Sequence, residues 1–394
     1  MNACKYSSHF PGCREKESEM RTFIGFLVVS AGAAMATAQV TPQPGDIVFT
    51  SQTSAGNDSV KLISGTVPTV GAATNLYSSG NSASRFAGIQ QGPDGNFYVA
   101  DGRFPFPNTT DAGIIKISGL FSGSPVASSH RQGNPFQNPL GLVWSPATNE
   151  FVTVSNPGTP QIPATLDAVI GFGTAGAGST VYYSEPNPIG SGRPTYFGAH
   201  SIIRDPRPGS NDLLISNVNG GTGVNPTPFF GFDQESSTVW RMTFTGSGYT
   251  LNPSPVVDFA SSFTGFASSF YNSRGMAAVP GTNSFYIADH EAGVINKVSM
   301  DISGNFTGIQ TILSGLDFPE NLVYNQYTNQ LVFGERSVVG GFGSAKISTV
   351  NLDGTGLTTL YTGEHARGFT IVPTPGAAAL LGVSGLVATR RRRR

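Results

Sequence analysis

Cysteine is almost missing from this chain: 394 residues hold two, Cys4 and Cys13, both ahead of Met20. A mature chain without that leader has no thiol for a disulfide, a thiolate metal site or a cysteine nucleophile. Charge is sparse as well, at 12% Asp, Glu, Lys and Arg. Between Gln39 and Pro375 there are 14 Lys and Arg against 21 Asp and Glu, a net of −7. Such a surface lacks the basic stripe that phosphate backbones need, so nucleic acid is excluded as the partner. No Gly-x-Ser-x-Gly elbow, Walker loop or His-Glu-x-x-His pair occurs, and the chemistries those motifs carry are set aside. Gly340-Gly-Phe-Gly343 and Gly220-Gly-Thr-Gly223 fall between strand patterns and open no helix, so they are loops and not phosphate cradles. His130, His290 and His365 show no metal-ligand spacing with one another, and each is expected in a loop or at the surface.

Long apolar runs are confined to the two ends. Met20-Arg21 precedes an apolar run from Phe23 to Ala36, and Ala36-Thr37-Ala38 before Gln39 has the small residues of a signal-peptidase site. Residues 20–38 are therefore expected to be a signal peptide, and residues 1–19 an extension from a start codon assigned too early. At the other end, Val372-Pro-Thr-Pro-Gly376 leads into a short run of small apolar residues and then Arg390 to Arg394. The arginines hold the cytoplasmic side, the apolar run enters the bilayer, and the prolines stiffen its outer boundary. At thirteen residues, Gly376 to Ala388 is short of the ~20 a permanent span requires, which favours a transient, cleaved anchor. Residues 372–394 resemble the PEP-CTERM sorting signal of bacteria, with Thr374 where that pattern has Glu. The resemblance implies an exosortase-type processing enzyme as partner, transient membrane insertion, and a protein exported to the cell surface or extracellular matrix.

Between these ends, 50 glycines, 27 prolines and 27 phenylalanines suit many short strands joined by turns. A repeated unit runs through the segment: apolar strand, tight turn, apolar strand ending in a polar residue, loop, two further strands. It begins at Gly88, Gly141, Ser201, Gly275 and Asn321. A further copy is split, because Arg367-Gly-Phe-Thr-Ile-Val-Pro373 repeats Arg274-Gly-Met-Ala-Ala-Val-Pro280 while Gly45-Asp-Ile-Val-Phe-Thr-Ser51 repeats the strand that follows it. One unit built from both ends closes a ring without an unpaired edge. The expected fold is all-β, a six-bladed β-propeller over residues 45–373. Third strands carry a basic residue between two others at Lys61, Lys116, Arg241, Lys297 and Lys346.

Tyr98-Val-Ala-Asp101 and Tyr286-Ile-Ala-Asp289, each followed by a strand bearing Lys, resemble propellers of the NHL, YWTD and SMP-30/gluconolactonase type. That fold hosts lyases, lactonases, peptide binders and scaffolds alike. Aligning the repeats places Ala87, Leu140, His200, Arg274, Glu320 and Arg367 immediately before the first strands, and Ser51, Asp101, Ser155, Asn217, Asp289 and Glu335 at the ends of the second strands. Both rings belong to one face. His200, Arg274, Glu320 and Arg367 are predicted to meet at the channel mouth, as a site for an anionic or polyhydroxylated ligand such as an extracellular polysaccharide, or as an ion-pair network. The second-ring carboxylates are expected to pair with the lysine of their own blade. The leading expectation is a binding or structural module without a cofactor. The alternative, implied by the gluconolactonase resemblance, is a lactone hydrolase using Ca or another divalent cation at Glu320, Asn217, Asp289 and Asp101. A lyase with His200 as general acid/base is the third reading.

Overall fold

The computed structural model describes residues 39–374 apart from 53–56, 70–71, 104–109, 156–167, 176–177, 185–198, 218–223, 230–231, 236, 260–272, 291 and 337–343, with backbone alone at 224–229 and 232–235. The expected leader, the signal peptide with Ala36 and Ala38, and the tail from Pro375 and Gly376 onward lie outside the described residues. The described residues form the expected six-bladed β-propeller.

Strands are numbered in chain order. Blade 1 joins both ends of the domain: its inner strand is β27 (His365–Ile371), followed outward by β1 (Ile47–Gln52), β2 (Ser59–Ile63) and β3 (Thr74–Ser78). Blade 2 is β4 (Phe86–Gln91), β5 (Phe97–Asp101), β6 (Gly113–Ser118) and β7 (Val126–Gln132). Blade 3 is β8 (Pro139–Ser145), β9 (Glu150–Ser155), β10 (Ala168–Phe172) and β11 (Thr180–Ser184). Blade 4 is β12 (Ala199–Arg204), β13 (Leu213–Asn217), β16 (Thr238–Phe244) and an outer edge split into β17 (Tyr249–Leu251) and β18 (Val257–Asp258). A separate hairpin, β14 (Val224–Phe229) with β15 (Phe232–Glu235), interrupts it, which makes it the least regular blade among the described residues. Blade 5 is β19 (Ser273–Ala278), β20 (Ser284–Asp289), β21 (Val294–Met300) and β22 (Phe306–Ser314). Blade 6 is β23 (Pro319–Asn325), β24 (Gln330–Glu335), β25 (Ala345–Asn351) and β26 (Thr358–Gly363).

The apolar pattern follows each strand's place in its blade. Second strands lie between neighbouring blades and are covered on both faces, so β5 and β13 are buried at every position and read as unbroken apolar runs ending in a polar residue. Outer strands face solvent, and β7 is a polar Val-Ala-Ser-Ser-His-Arg-Gln segment with no fully buried residue. The core therefore sits between blades. Tyr98 of blade 2 packs with its ring centre 4.4 Å from that of Phe151 of blade 3, and Phe151 lies 5.4 Å from Phe172. The tyrosine of the repeated Tyr-x-Ala-Asp segment also crosses the junction with its hydroxyl: Tyr286 donates to Leu352 O at 3.0 Å, from blade 5 to blade 6.

All six inner strands carry a β-bulge near their start, where two residues oppose one on the second strand. The ring residues Ala87, Leu140, His200, Arg274, Glu320 and Arg367 occupy these bulges, inside the strands and not ahead of them as the repeat alignment places them. A bulge turns a side chain out of the alternating pattern, so the inner strand pairs along its length and still presents one residue toward the axis. Glycine follows in four of the six, and a Cβ there has no room: at Gly368 it would lie 2.2 Å from Ala87 O, at Gly88 2.4 Å from Leu140 O, and at Gly275 2.5 Å from Asn321 Cα. Adjacent inner strands touch backbone to backbone at these points.

Gly368→Ala is expected to destabilise the domain by about 1–3 kcal/mol through this overlap. Gly308→Ala, where a Cβ meets nothing within 4 Å, is expected to stay within about 0.5 kcal/mol of the parent. Chemical denaturation of the two variants side by side checks the difference.

Candidate functional site at the channel mouth

The repeat alignment brings His200, Arg274, Glu320 and Arg367 to one end of the channel, from the consecutive blades 4, 5, 6 and 1. Ala87 and Leu140 of blades 2 and 3 complete the ring, so its polar groups occupy one side. Glu320 is the centre, only 1% exposed. Its Oε1 is paired with Arg274 Nη1 and lies 3.3 Å from His290 Nε2, and its Oε2 lies 2.7 Å from His365 Nε2. Burial alone would raise this carboxyl, and the combined pull of His365, Arg274 and His290 outweighs it, holding Glu320 well below the usual carboxylate range. One anion thus ties together the inner strands of blades 5, 6 and 1.

His290 and His365 are 5% and 2% exposed: His290 lies in the turn after β20, as expected, but is buried there, and His365 is in strand β27 and not in a loop or at the surface. His290 directly follows the second-strand residue Asp289, and His365 opens β27 two positions before Arg367. The signal available in the sequence was this adjacency to ring positions, since neither shares a blade with Glu320. Phe318 packs on His290, ring centres 4.8 Å apart, and adopts φ +54°. A left-handed conformation is costly for an aromatic residue, and here it delivers the chain into Pro319-Glu320. His130 belongs elsewhere: it is part-buried, its Nε2 lies 2.8 Å from Gly173 O and its ring packs edge-on against Tyr98.

His200 Nδ1 lies 3.0 Å from Arg274 O. A carbonyl only accepts, so Nδ1 carries the proton and Nε2 keeps a lone pair. Burial, then the charges of Arg274 and Arg367, push His200 down to about 3, so it is neutral at pH 7. Arg367 is surrounded by protein, and burial is the main cause that lowers it, with Glu320 pulling the other way. It remains partly open to the channel.

The second ring has a different task from the one expected. Asp101 Oδ1 accepts from Arg85 N at 2.9 Å, Ser155 Oγ from Gln137 N at 3.1 Å, and Glu335 Oε1 from Asp317 N at 2.9 Å. Each donor stands in the loop entering the inner strand of the same blade, so these side chains hold the bulged segment in place. The expected lysine pairing fails in blade 2, where Lys116 stands opposite Tyr98 and binds Asp94 at 2.9 Å while Asp101 pairs with Arg103. In blade 5 Lys297 stands opposite Tyr286 and not Asp289. Only Lys346 is the register partner of its ring residue, Glu335.

The four residues considered for a cation do not fit one. Both oxygens of Glu320 face Arg274 or a histidine, Asp101 is committed to Ser84, Arg85 and Arg103, and Asp289 Oδ1 accepts from Ala292 N at 3.1 Å. Asn217 is buried at the mouth end of β13, opposite Ala199. Among the described residues no group of three or more His, Cys, Asp and Glu side chains is arranged to hold a metal ion.

The cluster makes stability depend on pH in one direction. Glu320 stays ionised to lower pH in the native chain than in the unfolded one, so its contribution is complete above about pH 4.3 and lost as pH falls through the native value. Native His200 refuses a proton that the unfolded chain takes up below about pH 6.5, so stability also falls from there toward about 3. Denaturation curves are expected to show stability dropping from pH 6.5 into acid. His200→Gln should flatten the upper part, and Glu320→Gln should flatten the part below about pH 4.3 and cost about 3–5 kcal/mol at neutral pH by stranding its cations.

No protein-family model matches the chain, and no curated protein does. Among solved structures, the chain is similar to one in the crystal structure of a nidogen/laminin complex, at 13% identity and TM-score 0.55, covering 83% of this chain and 98% of that one. A putative 6-phosphogluconolactonase from Bacteroides uniformis is 13% identical at TM-score 0.52, covering 83% of this chain and 86% of that one. A protein from Lactobacillus plantarum is 13% identical at TM-score 0.50, covering 82% and 83%. At these identities the likeness is one of fold.

Proposed function

We propose that this chain is an exported propeller that binds an anionic, polyhydroxylated ligand, such as an acidic extracellular polysaccharide, at the channel mouth. The observation that carries the reading is the charge balance there. Glu320 is matched by Arg274, and Arg367 adds a second guanidinium beside the neutral His200 in an otherwise acidic domain. Guanidinium groups take carboxylate or phosphate through two parallel hydrogen bonds, and His200 Nε2 offers an acceptor for a ligand hydroxyl. The two end segments support export, membrane insertion of the apolar tail and sorting by an exosortase-type enzyme, with Val372, Pro373, Thr374, Pro375 and Gly376 as the processing motif. Val372 is buried against β1 and β2 while Thr374 is exposed, so processing of the folded protein is expected beyond Val372.

A second reading, a lactone hydrolase, draws on one observation: the Nδ1 contact with Arg274 O leaves the His200 Nε2 lone pair free to take a proton from water, although burial, which pushes the group down to about 3, makes it a weak base. The name of the Bacteroides uniformis structure is compatible with it. This reading needs no cation at Glu320.

Titration calorimetry with oligogalacturonate, with inorganic phosphate and with neutral dextran separates the readings. The binding reading expects heat with the acidic oligomer and none with dextran, and about 10–150-fold weaker binding in Arg367→Gln, the range of a charge-assisted hydrogen bond. No binding of either anion by the parent protein would remove it. Acid release from aldonolactones by the parent, lost in His200→Gln, would establish the hydrolase.

A further inference from the structure

The inner strands run from the mouth to the opposite face, and this fixes where the chain leaves the ring. β27 begins at His365, level with the ring, and ends at Ile371, which pairs with Ile47 at the start of β1. Both connections to the rest of the chain therefore emerge on the face opposite the candidate site. They are bound to each other and to that face: Gly45 N donates to Val372 O at 3.0 Å, Val372 N to Asp46 O at 2.8 Å, Asn325 Nδ2 to Gly45 O at 2.9 Å, and Thr374 N to Tyr327 Oη at 2.8 Å. Asn325 and Tyr327 belong to the end of β23 and the turn after it, beside the axis and not at the rim. Val40 N donates to Phe121 O at 3.3 Å, in the β6–β7 turn of the same face.

The tail that follows has almost no slack. Its apolar run begins at Gly376, five residues past Ile371, a reach of at most about 18 Å fully extended. Carrying the exit point round to the candidate-site side takes more. The path crosses three strand spacings from β27 to β3, about 14 Å, and then the height of the seven-residue β27, about 23 Å.

We propose that the face bearing Gly45, Gln326, Tyr327 and Thr374 is the membrane-apposed face, and that the channel mouth with Glu320 and Arg367 is presented away from the bilayer. This rests on the reading of the tail as a bilayer-inserting segment. It adds a fixed orientation, which insertion alone does not require: a longer spacer would let the propeller tumble.

The test uses the full chain with Cys4 and Cys13 replaced by serine and one new thiol, either Gln326→Cys on the tail face or Ser82→Cys on the mouth face, both exposed. Each is labelled with an environment-insensitive fluorophore and reconstituted into phosphatidylcholine/phosphatidylglycerol vesicles containing a headgroup-quencher lipid. The expected result is quenching at least threefold stronger at position 326 than at position 82. Inserting a flexible Gly/Ser spacer of forty residues after Thr374, with a reach of about 35 Å, should bring the two values together. Equal quenching without the spacer, or stronger quenching at 82, overturns the orientation while leaving insertion intact. A chain that floats free of the vesicles overturns insertion itself, and the orientation with it.

Discussion

Six strands can converge on one axis only if their backbones are allowed to touch, and everything functional in this protein depends on how that contact is made. Each inner strand gives up one ladder pairing to a bulge, and four of the six place a glycine directly after the ring residue. The bulge supplies direction and the glycine supplies clearance. Thr50 and Thr153 of second strands strengthen the arrangement by donating to the carbonyls of Ala87 and Gly141 at 2.6 and 2.7 Å. The polar ring is thus part of the device that closes the propeller.

The same crowding explains why the mouth is electrostatically tight. A carboxylate as buried as Glu320 survives only with cationic or donor partners, and it draws them from the two flanking blades, 5 and 1. No polar residue stands at the ring positions of blades 2 and 3, where Ala87 and Leu140 extend the apolar core to the axis. The mouth therefore has one polar arc and one apolar arc, and Arg367 sits where the polar arc meets blade 2.

Much of this could be read from the chain itself. The repeat phase, the blade shared between the two ends and the co-location of His200, Arg274, Glu320 and Arg367 all follow from apolar periodicity and the shared Arg-Gly step at 274 and 367. The bulge register was not legible, because two residues facing one leaves no mark on a single strand's pattern. His290 and His365 were missed for a related reason: their partner Glu320 lies in another blade, and spacing rules describe ligands held by one local segment. The lysine pairing was misassigned because strand pairing puts Lys116 and Lys297 three residues away from Asp101 and Asp289, a distance along the ladder that proximity in sequence conceals.

The closure through β27 also sets a schedule. Its partner β1 lies at the beginning of the domain, while β27 is the last strand among the described residues. Until Ile371 is available to meet Ile47, blade 1 has no inner strand, Glu320 lacks His365, and the first and last blades present open edges to one another. Five blades can form early through local pairings, but the ring remains unlatched for nearly the whole of synthesis. A chain of this design delays the closing of its ring until β27 has been released.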